Sequence, residues 1–179
     1  LSFGESANPP STISLTTAGA INFENLTGTT SAETLNGDTN ANILKGNGGA
    51  DTLNGNGGND TLYADSNHSE AINNGASNTD SDDSLYGGSG DDSLYASAGD
   101  NTLDGGTGAD FLVSGVGSDV IVIRSGDGGS SISDADTLAD FSDGVDLIGL
   151  SGLQYSDLTV EQGVGSYSSH VVVKKADTG

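Results

Sequence analysis

The stretches GGSGDDSLY at residues 87–95 and GGTGADFLV at residues 105–113 decide the fold of this chain. Both have glycine at positions one, two and four, aspartate at position six and leucine at position eight. Glycine suits a turn that needs a positive φ angle or a close approach of two backbones. A short turn followed by a short apolar segment, repeated at a fixed period, is typical of solenoid proteins, whose repeats pack on their neighbours.

The same register of nine residues extends outward from these two stretches. Four units run from residue 28 to residue 63 and, after an interruption, five units run from residue 78 to residue 122. Each unit has an aliphatic residue at its eighth position, which predicts a continuous core stripe. These residues are Leu35, Leu44, Leu53, Leu62, Leu85, Leu94, Leu103, Leu112 and Ile121.

Each unit also has an oxygen-bearing side chain at its sixth position. These residues are Glu33, Asn42, Asp51, Asp60, Asp83, Asp92, Asn101, Asp110 and Asp119. In an ordinary Gly-rich solenoid, an aspartate at a turn accepts hydrogen bonds from its own backbone. That role does not explain why the acid accompanies glycine at both the first and the fourth positions, so the pattern favours a cation site.

The units resemble the RTX, or haemolysin-type, calcium-binding nonapeptide G-G-x-G-x-D-x-U-x. The resemblance covers residues 28 to 122. It implies an all-β fold, a parallel β-roll that forms a right-handed β-solenoid and ends in a C-terminal β cap. In such a roll two units form one coil of about 18 residues, and coils stack at the strand spacing of about 4.8 Å.

The resemblance also implies a cofactor, namely several calcium ions. Calcium takes about six to eight oxygen ligands, and one turn offers backbone carbonyls beside one acidic side chain. Two stacked turns then complete a cage. The ligands implied are Glu33, Asn42, Gly46, Gly48, Asp51, Gly55, Gly57, Asp60, Asp83, Gly87, Ser89, Asp92, Asn101, Gly105, Thr107, Asp110, Asp119, Asp136 and Asp140.

Because a coil contains two units, the turns that meet are two units apart. The predicted partners are Glu33 with Asp51, Asn42 with Asp60, Asp92 with Asp110, and Asp83 with Asn101 and then Asp119. Carboxylates stacked at about 5 Å repel one another unless a divalent ion lies between them. We therefore expect the fold to depend on calcium. Weaker binding is expected at turns that contain Asn42 or Asn101, which carry no charge.

The flanks and the interruption are less regular. Residues 1–27 are expected to cap the first coil. Residues 64–77 form either an insertion that is looped out or a decayed unit, and only a decayed unit would exchange the two edges of the roll downstream. Within residues 123–179, residues 134–153 resemble the segment that closes such rolls, and we expect 123–179 to form a cap whose partner strands are cut off at Gly179, in a fragment of a longer protein. Acids are dense in this segment, at Asp134, Asp136, Asp140, Asp143 and Asp146.

Composition narrows the class of protein. The chain of 179 residues has 26 acids and four bases, a formal net charge of −22, which excludes nucleic acids and anionic membrane surfaces as partners. Hydrophobic residues make up 32% of the chain, too few for a thick core. There is no cysteine, which excludes disulfides and thiolate sites. No apolar stretch is long enough to insert into a membrane.

Catalysis has few candidate residues in this sequence. His68 and His170 lie far apart, and neither an H-E-x-x-H nor a G-x-S-x-G motif occurs. We therefore expect a module that is not an enzyme: a calcium-binding, calcium-dependently folding part of a secreted or cell-surface bacterial protein, exported by type I secretion machinery. Two alternatives remain. The module belongs to an exported enzyme, such as a metalloprotease, lipase or alginate epimerase, or it is an adhesin module. As an adhesin module it would bind a cell-surface ligand or carbohydrate, with Tyr63, Tyr86 and Tyr95 stacking sugars and not merely packing on the sheet face.

Overall fold

A computed structural model of the chain describes residues 12–15, 24–65, 82–127, 135–142, 145–154, 156, 158–162 and 171–175. These residues form two sheets of parallel strands and one antiparallel hairpin. Within these ranges, no helix is long and apolar enough to cross a membrane. The predicted all-β fold, a parallel β-roll, is confirmed.

The strands alternate between the two sheets along the chain. The seven-stranded sheet contains, in spatial order, β1 (Thr12–Ser14), β3 (Thr34–Asn36), β5 (Thr52–Gly57), β7 (Ser84–Ser89), β9 (Thr102–Thr107), β11 (Val120–Arg124) and β13 (Leu147–Ser151). The six-stranded sheet contains β2 (Asn25–Thr27), β4 (Ile43–Asn47), β6 (Thr61–Asp65), β8 (Ser93–Tyr95), β10 (Phe111–Val113) and β12 (Thr137–Leu138). The hairpin consists of β14 (Leu158–Gln162) and β15 (Val171–Lys175).

The core is a stripe of eighth-position residues between the two sheets. Leu35 pairs in register with Leu53, and Leu44 pairs with Leu62, so identical side chains stack from coil to coil. All the eighth-position leucines from Leu35 to Leu103 are fully buried. The residues on either side of each leucine face outward, because side chains alternate along a strand. One leucine or isoleucine from each regular strand, with small additions such as Ala64 and Ala96, encloses the core, which explains how a chain with so little hydrophobic content has one.

The interruption does not change the order of the strands. β5 pairs with β7 and β6 pairs with β8, so the alternation between sheets continues from one side of residues 66–81 to the other. This is the pairing expected if the segment is looped out. Residues 66–81, with His68, lie outside the described residues, as does His170, so the choice between insertion and decayed unit stays a prediction.

Both sheets extend beyond the regular repeats. At the start, β1 and β2 add a strand to each sheet. At the end, β12 pairs with β10 and β13 pairs with β11, although the nonapeptide spacing fails after Val122. One part of the repeat persists there: an aspartate is followed two residues later by an aliphatic residue, at Asp136 and Leu138 and again at Asp146 and Ile148. The roll therefore continues for one further coil.

Aromatic side chains pack along the outer face of the six-stranded sheet. The rings of Tyr63 and Tyr95 are stacked, with centroids 5.1 Å apart and planes 11° apart. The ammonium of Lys45 lies over the Tyr63 ring at 5.2 Å. Because the rings stack on one another, this arrangement supports the packing role of the two tyrosines.

Candidate metal centre

The turns lie along two edges of the roll. At the first edge the chain passes from the six-stranded to the seven-stranded sheet, and at the second edge it passes back. The first-edge turns end at Glu33, Asp51, Asp83, Asn101, Asp119 and Asp146. The second-edge turns end at Asn42, Asp60, Asp92, Asp110 and Asp136.

Sixth-position side chains connect the coils in a ladder along each edge. The Asp110 Oδ1 atom accepts a hydrogen bond of 2.8 Å from the backbone N–H of Asp92, one coil earlier. On the first edge, Asp119 Oδ1 accepts from the Asn101 N–H at the same distance. The Asp51 N–H donates to Asp83 Oδ1 at 2.7 Å across the interruption. The predicted stacking of turns two units apart is confirmed by these bonds.

In five aspartates of these ladders, the second carboxylate oxygen has no hydrogen-bond partner in the protein. Five such Oδ2 atoms are buried and make no hydrogen bond: those of Asp51, Asp60, Asp92, Asp110 and Asp119. A buried polar atom without a partner costs about 1–3 kcal/mol, and more when it is charged. Five atoms of one kind at equivalent positions point to a cation as their common partner.

The first two repeat units, residues 28–45, differ from this pattern at their sixth positions. Glu33 accepts hydrogen bonds from Thr29 in its own turn, with the Thr29 N–H at 2.9 Å. Asn42 Oδ1 accepts from the Asp38 N–H at 2.7 Å. Both side chains are satisfied locally, so their turns depend less on a cation.

The first-position glycines create the space in which the oxygens meet. A Cβ atom added to Gly55 would lie closer than 3.0 Å to both Asp60 Oδ2 and the carbonyl oxygen of Gly87 in the next coil. At Gly87 the same atom would meet Asp92 Oδ2 and the Gly105 carbonyl. A carboxylate oxygen and a backbone carbonyl therefore converge at the start of each such turn, and only glycine leaves room for them.

In most turns, the second and fourth positions require a left-handed backbone conformation. Asn47, Asn56 and Ser97, all at second positions, have φ angles of 84°, 77° and 77°. Gly58, at a fourth position, has a φ of 97°. Glycine at the fourth position is thus required by a left-handed backbone, as expected, whereas glycine at the first position is required by close packing. The sequence analysis did not assign a left-handed backbone to the second position, although Gly88, Gly106 and the asparagines at this position are residue types that favour it.

Burial and mutual repulsion raise the pKa of the sixth-position carboxylates. Burial raises the pKa of Asp51, Asp83 and Asp92 to about 7 and that of Asp60 and Asp119 to about 6. Neighbouring charges add to the effect: the charge of Asp51 raises the pKa of Asp83, and that of Asp60 raises the pKa of Asp92. A divalent cation would relieve both the burial of charge and the repulsion.

The donors present fit calcium. Within the described ranges, no three acidic or histidine side chains cluster as a metal site by themselves. A cation at these turns must therefore take backbone carbonyls together with one carboxylate from each turn, and a set made only of such oxygens suits a hard cation. Third-position residues pair from coil to coil on the second edge, Gly57 with Ser89 and Ser89 with Thr107. The ligand role of the third-position carbonyls stays a prediction.

The acids that follow the regular repeats have different hydrogen-bond partners in the roll. Asp136 Oδ1 accepts from the Asp110 N–H at 3.1 Å and so ends the second-edge ladder. Asp140 lies beside the first-edge ladder and bonds Ser114 and Gly115. Asp146, which was not among the predicted ligands, accepts from the Asp119 N–H at 3.2 Å and ends the first-edge ladder. The two-residue spacing from Asp146 to Ile148, shared with every regular unit, was the signal that could have identified it.

A parallel β-roll with ranks of buried carboxylates at its turns defines a class, the cation-binding solenoids. The family model for the RTX calcium-binding nonapeptide repeat, in four copies, matches residues 27–66, 77–112 and 86–121. The repeat region of this chain therefore belongs to the RTX calcium-binding nonapeptide repeat family. Its repeats bind several calcium ions, and the repeat module is a structural calcium-binding domain, not a catalytic one. No curated protein and no solved structure matches the chain.

Proposed function

We propose that this chain is the calcium-dependently folding module of a secreted or cell-surface bacterial protein. The observation that carries the proposal is the set of five buried carboxylate oxygens without a hydrogen-bond partner. With four bases against 26 acids, the protein cannot neutralise its carboxylates with its own side chains. Calcium is then the partner that permits the ladder carboxylates to be buried. Because the unfolded chain has no such sites, the free energy of calcium binding contributes directly to the free energy of folding.

The second-edge turns at residues 87–92 and 105–110 are the strongest candidate site. Asp92 and Asp110 are joined by the ladder and each has an unpartnered Oδ2 atom. The Gly105 carbonyl converges with Asp92 Oδ2 at the Gly87 position. We assign the side-chain ligand role here to Asp92 and Asp110, with carbonyls supplied by the first and third positions of the two turns.

Calcium dependence gives the module a role in export. Extracellular calcium modules bind with dissociation constants on the order of 10⁻⁴ to 10⁻³ M, far above the calcium level of a cytosol. The acidic chain would stay unfolded inside the cell, pass through type I secretion machinery and fold outside, where calcium binds the native state alone. The same role serves a parent protein that is an adhesin or an exported enzyme of the metalloprotease, lipase or alginate epimerase kind.

The proposal is tested by calorimetric titration of the full chain with Ca²⁺, with Mg²⁺ as the control ion, because Mg²⁺ demands a tighter octahedral site. We expect several calcium ions per chain and no equivalent binding of Mg²⁺. Asp92→Asn should remove an ion, whereas Asp91→Asn, the same change at the exposed neighbour, should not. A wild-type chain that binds no calcium would contradict the proposal.

A second candidate function, sugar binding, is favoured by one surface feature. A depression of about 260 Å³ beside the stacked tyrosines is lined by Asn25, Thr27, Ile43, Lys45 and Tyr63. It combines an aromatic ring, an amide, a hydroxyl and an ammonium, which are groups that bind sugars. Glycan-array binding by the calcium-loaded chain that is lost in Tyr63→Ala, with calcium binding kept, would support this function. Absence of binding to any glycan would exclude it.

A further inference from the structure

Two turns in the first coils of the roll have asparagine where the full repeats have glycine. At the second position the full repeats have Gly88 and Gly106, whereas two earlier turns have asparagine, at Asn47 and Asn56. All four residues have a positive φ angle, so the asparagines keep the path of the turn. A Cβ atom added to Gly88 would lie closer than 3.0 Å to the Asn56 carbonyl oxygen. Only glycine fits there, whereas the two earlier turns leave room for an amide side chain.

The two amides join turns in neighbouring coils, and we call the joined turns the first turn pairs: residues 28–33 with 46–51, and residues 37–42 with 55–60. Nδ2 of Asn47 donates a hydrogen bond of 2.8 Å to the Gly28 carbonyl oxygen. Nδ2 of Asn56 donates one of 3.0 Å to the Gly37 carbonyl oxygen. Gly28 and Gly37 are at first positions, whose carbonyls we assign as calcium ligands in the regular turns. Each amide therefore binds an oxygen of the kind that an ion would take.

The sixth-position side chains of the earlier turn in each pair are also satisfied. Glu33 is 3% exposed, and its two carboxylate oxygens accept hydrogen bonds from the N–H and the hydroxyl of Thr29. Asn42 is 2% exposed and carries no charge, and its Oδ1 atom accepts the Asp38 N–H at 2.7 Å. Neither side chain therefore presents an unpartnered carboxylate oxygen to a cation.

The acid of the later turn in each pair directs its unpartnered oxygen to the following coil. Oδ1 of Asp60 accepts the Asn42 N–H at 2.7 Å, within the pair. Oδ2 of Asp60 makes no hydrogen bond and converges, at Gly55, with the Gly87 carbonyl of the next coil. Asp51 divides its two oxygens in the same way on the first edge. Among the described residues, the first turn pairs thus contain no carboxylate oxygen that needs a cation between the two turns.

Neutral hydrogen bonds also join the same coils on the outer face of the seven-stranded sheet. Asn36 Nδ2 donates to Ser14 Oγ at 3.0 Å, and Asn54 Nδ2 donates to Asn36 Oδ1 at 2.7 Å. The series ends at the next strand, where Tyr86 pairs with Asn54. These amide bonds between coils therefore lie at the start of the roll and end where the unpartnered carboxylates begin.

We propose that the first turn pairs take no calcium and that the amides of Asn47 and Asn56 hold these turns together in place of an ion. The inference rests on the proposed function, since it assumes that the later turns bind calcium. It departs from the repeat pattern at Glu33 and Asn42, which the resemblance to the family implied as ligands. Asn47 and Asn56 then determine where the array of ions begins. So few coils cannot fold alone, because a solenoid needs neighbouring repeats to bury its core, and they fold together with the calcium-bound coils.

The first test removes the charge of Glu33 in the full chain. Glu33→Gln keeps the length of the side chain, and Asp92→Asn makes the matched carboxylate-to-amide change in a regular turn. The number of calcium ions per chain is measured by calorimetry, with folding checked by circular dichroism. Glu33→Gln should bind as many ions as the wild type, whereas Asp92→Asn should bind one fewer. Loss of an ion in Glu33→Gln would overturn the inference.

The second test restores the consensus on the second edge. Asn42→Asp combined with Asn56→Gly supplies the missing acid and removes the amide, so this double variant should bind one ion more than the wild type. Asn40→Asp adds the same charge at an exposed position of the same turn and should keep the wild-type number. A double variant with the wild-type number, or an added ion in Asn40→Asp, would overturn the inference.

The first edge offers the same comparison if the double variant does not fold in calcium. Glu33→Asp combined with Asn47→Gly should then bind one ion more than the wild type. Failure of both double variants to fold would overturn the inference, because consensus turns must be compatible with the roll. A wild-type chain that binds no calcium would overturn the proposed function and the inference together, whereas the other contrary results overturn the inference alone.

Discussion

The two edges of the roll share one hydrogen-bond ladder but differ in the turns that carry it. On the second edge, the first position is glycine in four successive turns, at Gly37, Gly55, Gly87 and Gly105. On the first edge, the Ala64 carbonyl takes the equivalent place beside Gly46 in the third turn, and the first positions of the next two turns are Ala96 and Ser114. Ladder bonds nonetheless have similar lengths on both edges, 2.8 Å from the Asp92 N–H and 2.9 Å from the Asp83 N–H.

Asparagine shows what the ladder alone requires. Asn101 Oδ1 accepts the Asp83 N–H, and its Nδ2 donates to the Gly99 carbonyl at 3.1 Å, so the side chain has partners on both sides. Asp110, at the equivalent place on the second edge, has an Oδ2 atom without a partner. Stacking is therefore a property of the roll, whereas the need for a cation is a property of the charged turn. Three of the five unpartnered Oδ2 atoms, those of Asp60, Asp92 and Asp110, lie on the second edge, so we expect this edge to be the more calcium-dependent of the two.

The largest difference between the edges is expected from the first position of the turn. Gly87→Ala would place a methyl group against Asp92 Oδ2 and the Gly105 carbonyl. Overpacking costs about 1–3 kcal/mol, and here it also displaces two ligand oxygens. The matched change on the first edge, Ala96→Gly, removes a buried methyl group that already fits. In calcium, the melting temperature should fall markedly for Gly87→Ala and only slightly for Ala96→Gly; equal losses would contradict the comparison.

Removing the sixth-position side chain should separate charge from stacking. Asp110→Ala and Asn101→Ala each leave one buried N–H without its acceptor, that of Asp92 or Asp83. That shared loss costs about 1–3 kcal/mol. Only Asp110→Ala also removes a charged ligand, so it should raise the calcium midpoint of folding about tenfold more than Asn101→Ala does. Calcium titrations followed by circular dichroism measure both midpoints. Equal midpoints would show that the charge of the second edge contributes nothing.

Acid should partly replace calcium. Burial raises the pKa of Asp51 and Asp92 to about 7, above the value of about 3.9 in an unfolded chain, so the native state binds more protons than the unfolded state between these limits. The free energy of unfolding of the calcium-free roll therefore rises as pH falls from about 7 towards 4. Above about pH 7 the buried carboxylates are ionised, and their destabilising effect on the roll is complete. In chelator, β structure by circular dichroism should increase on acidification. Asn101→Asp should steepen this dependence by adding a buried acid; a calcium-free signal that is constant or weakens towards acid would be the opposite result.

The smallest effect is expected from shortening the interruption. Deletion of residues 66–79 joins Ala64 and Asp65 to residues 80–83 and leaves a turn of ordinary length. Both ladders already cross this point, from Asp51 to Asp83 and from Asp60 to Asp92, so the coils on either side should stay in contact. Calcium stoichiometry and melting temperature should change little. If the deletion abolishes the calcium response, the segment is part of the roll and not a looped-out insertion.

The features of the fold that could be predicted from the sequence are those that recur at a fixed spacing along the chain. The eighth-position leucines and the sixth-position acids recur every nine residues, and that period predicted the core, the sheets and the pairing of turns. Asp146 was missed, and Asp136 was expected only from the resemblance to the closing segment, because the two follow their ladder partners at separations of 27 and 26 residues, not 18. Their position is set by strand pairing with the previous coil, which permits a turn of any length, and no period within the chain records it.

The central claim, that the roll folds because calcium fills its turns, is tested most directly by circular dichroism of the full chain during a calcium titration and its reversal with chelator. A net charge of −22 and buried, unpartnered carboxylates predict a disordered chain without calcium. Calcium should convert it cooperatively to β structure with a midpoint on the order of 10⁻⁴ to 10⁻³ M, and chelator should reverse the change. At neutral pH, a β signal and a melting temperature that chelator leaves unchanged would contradict the claim.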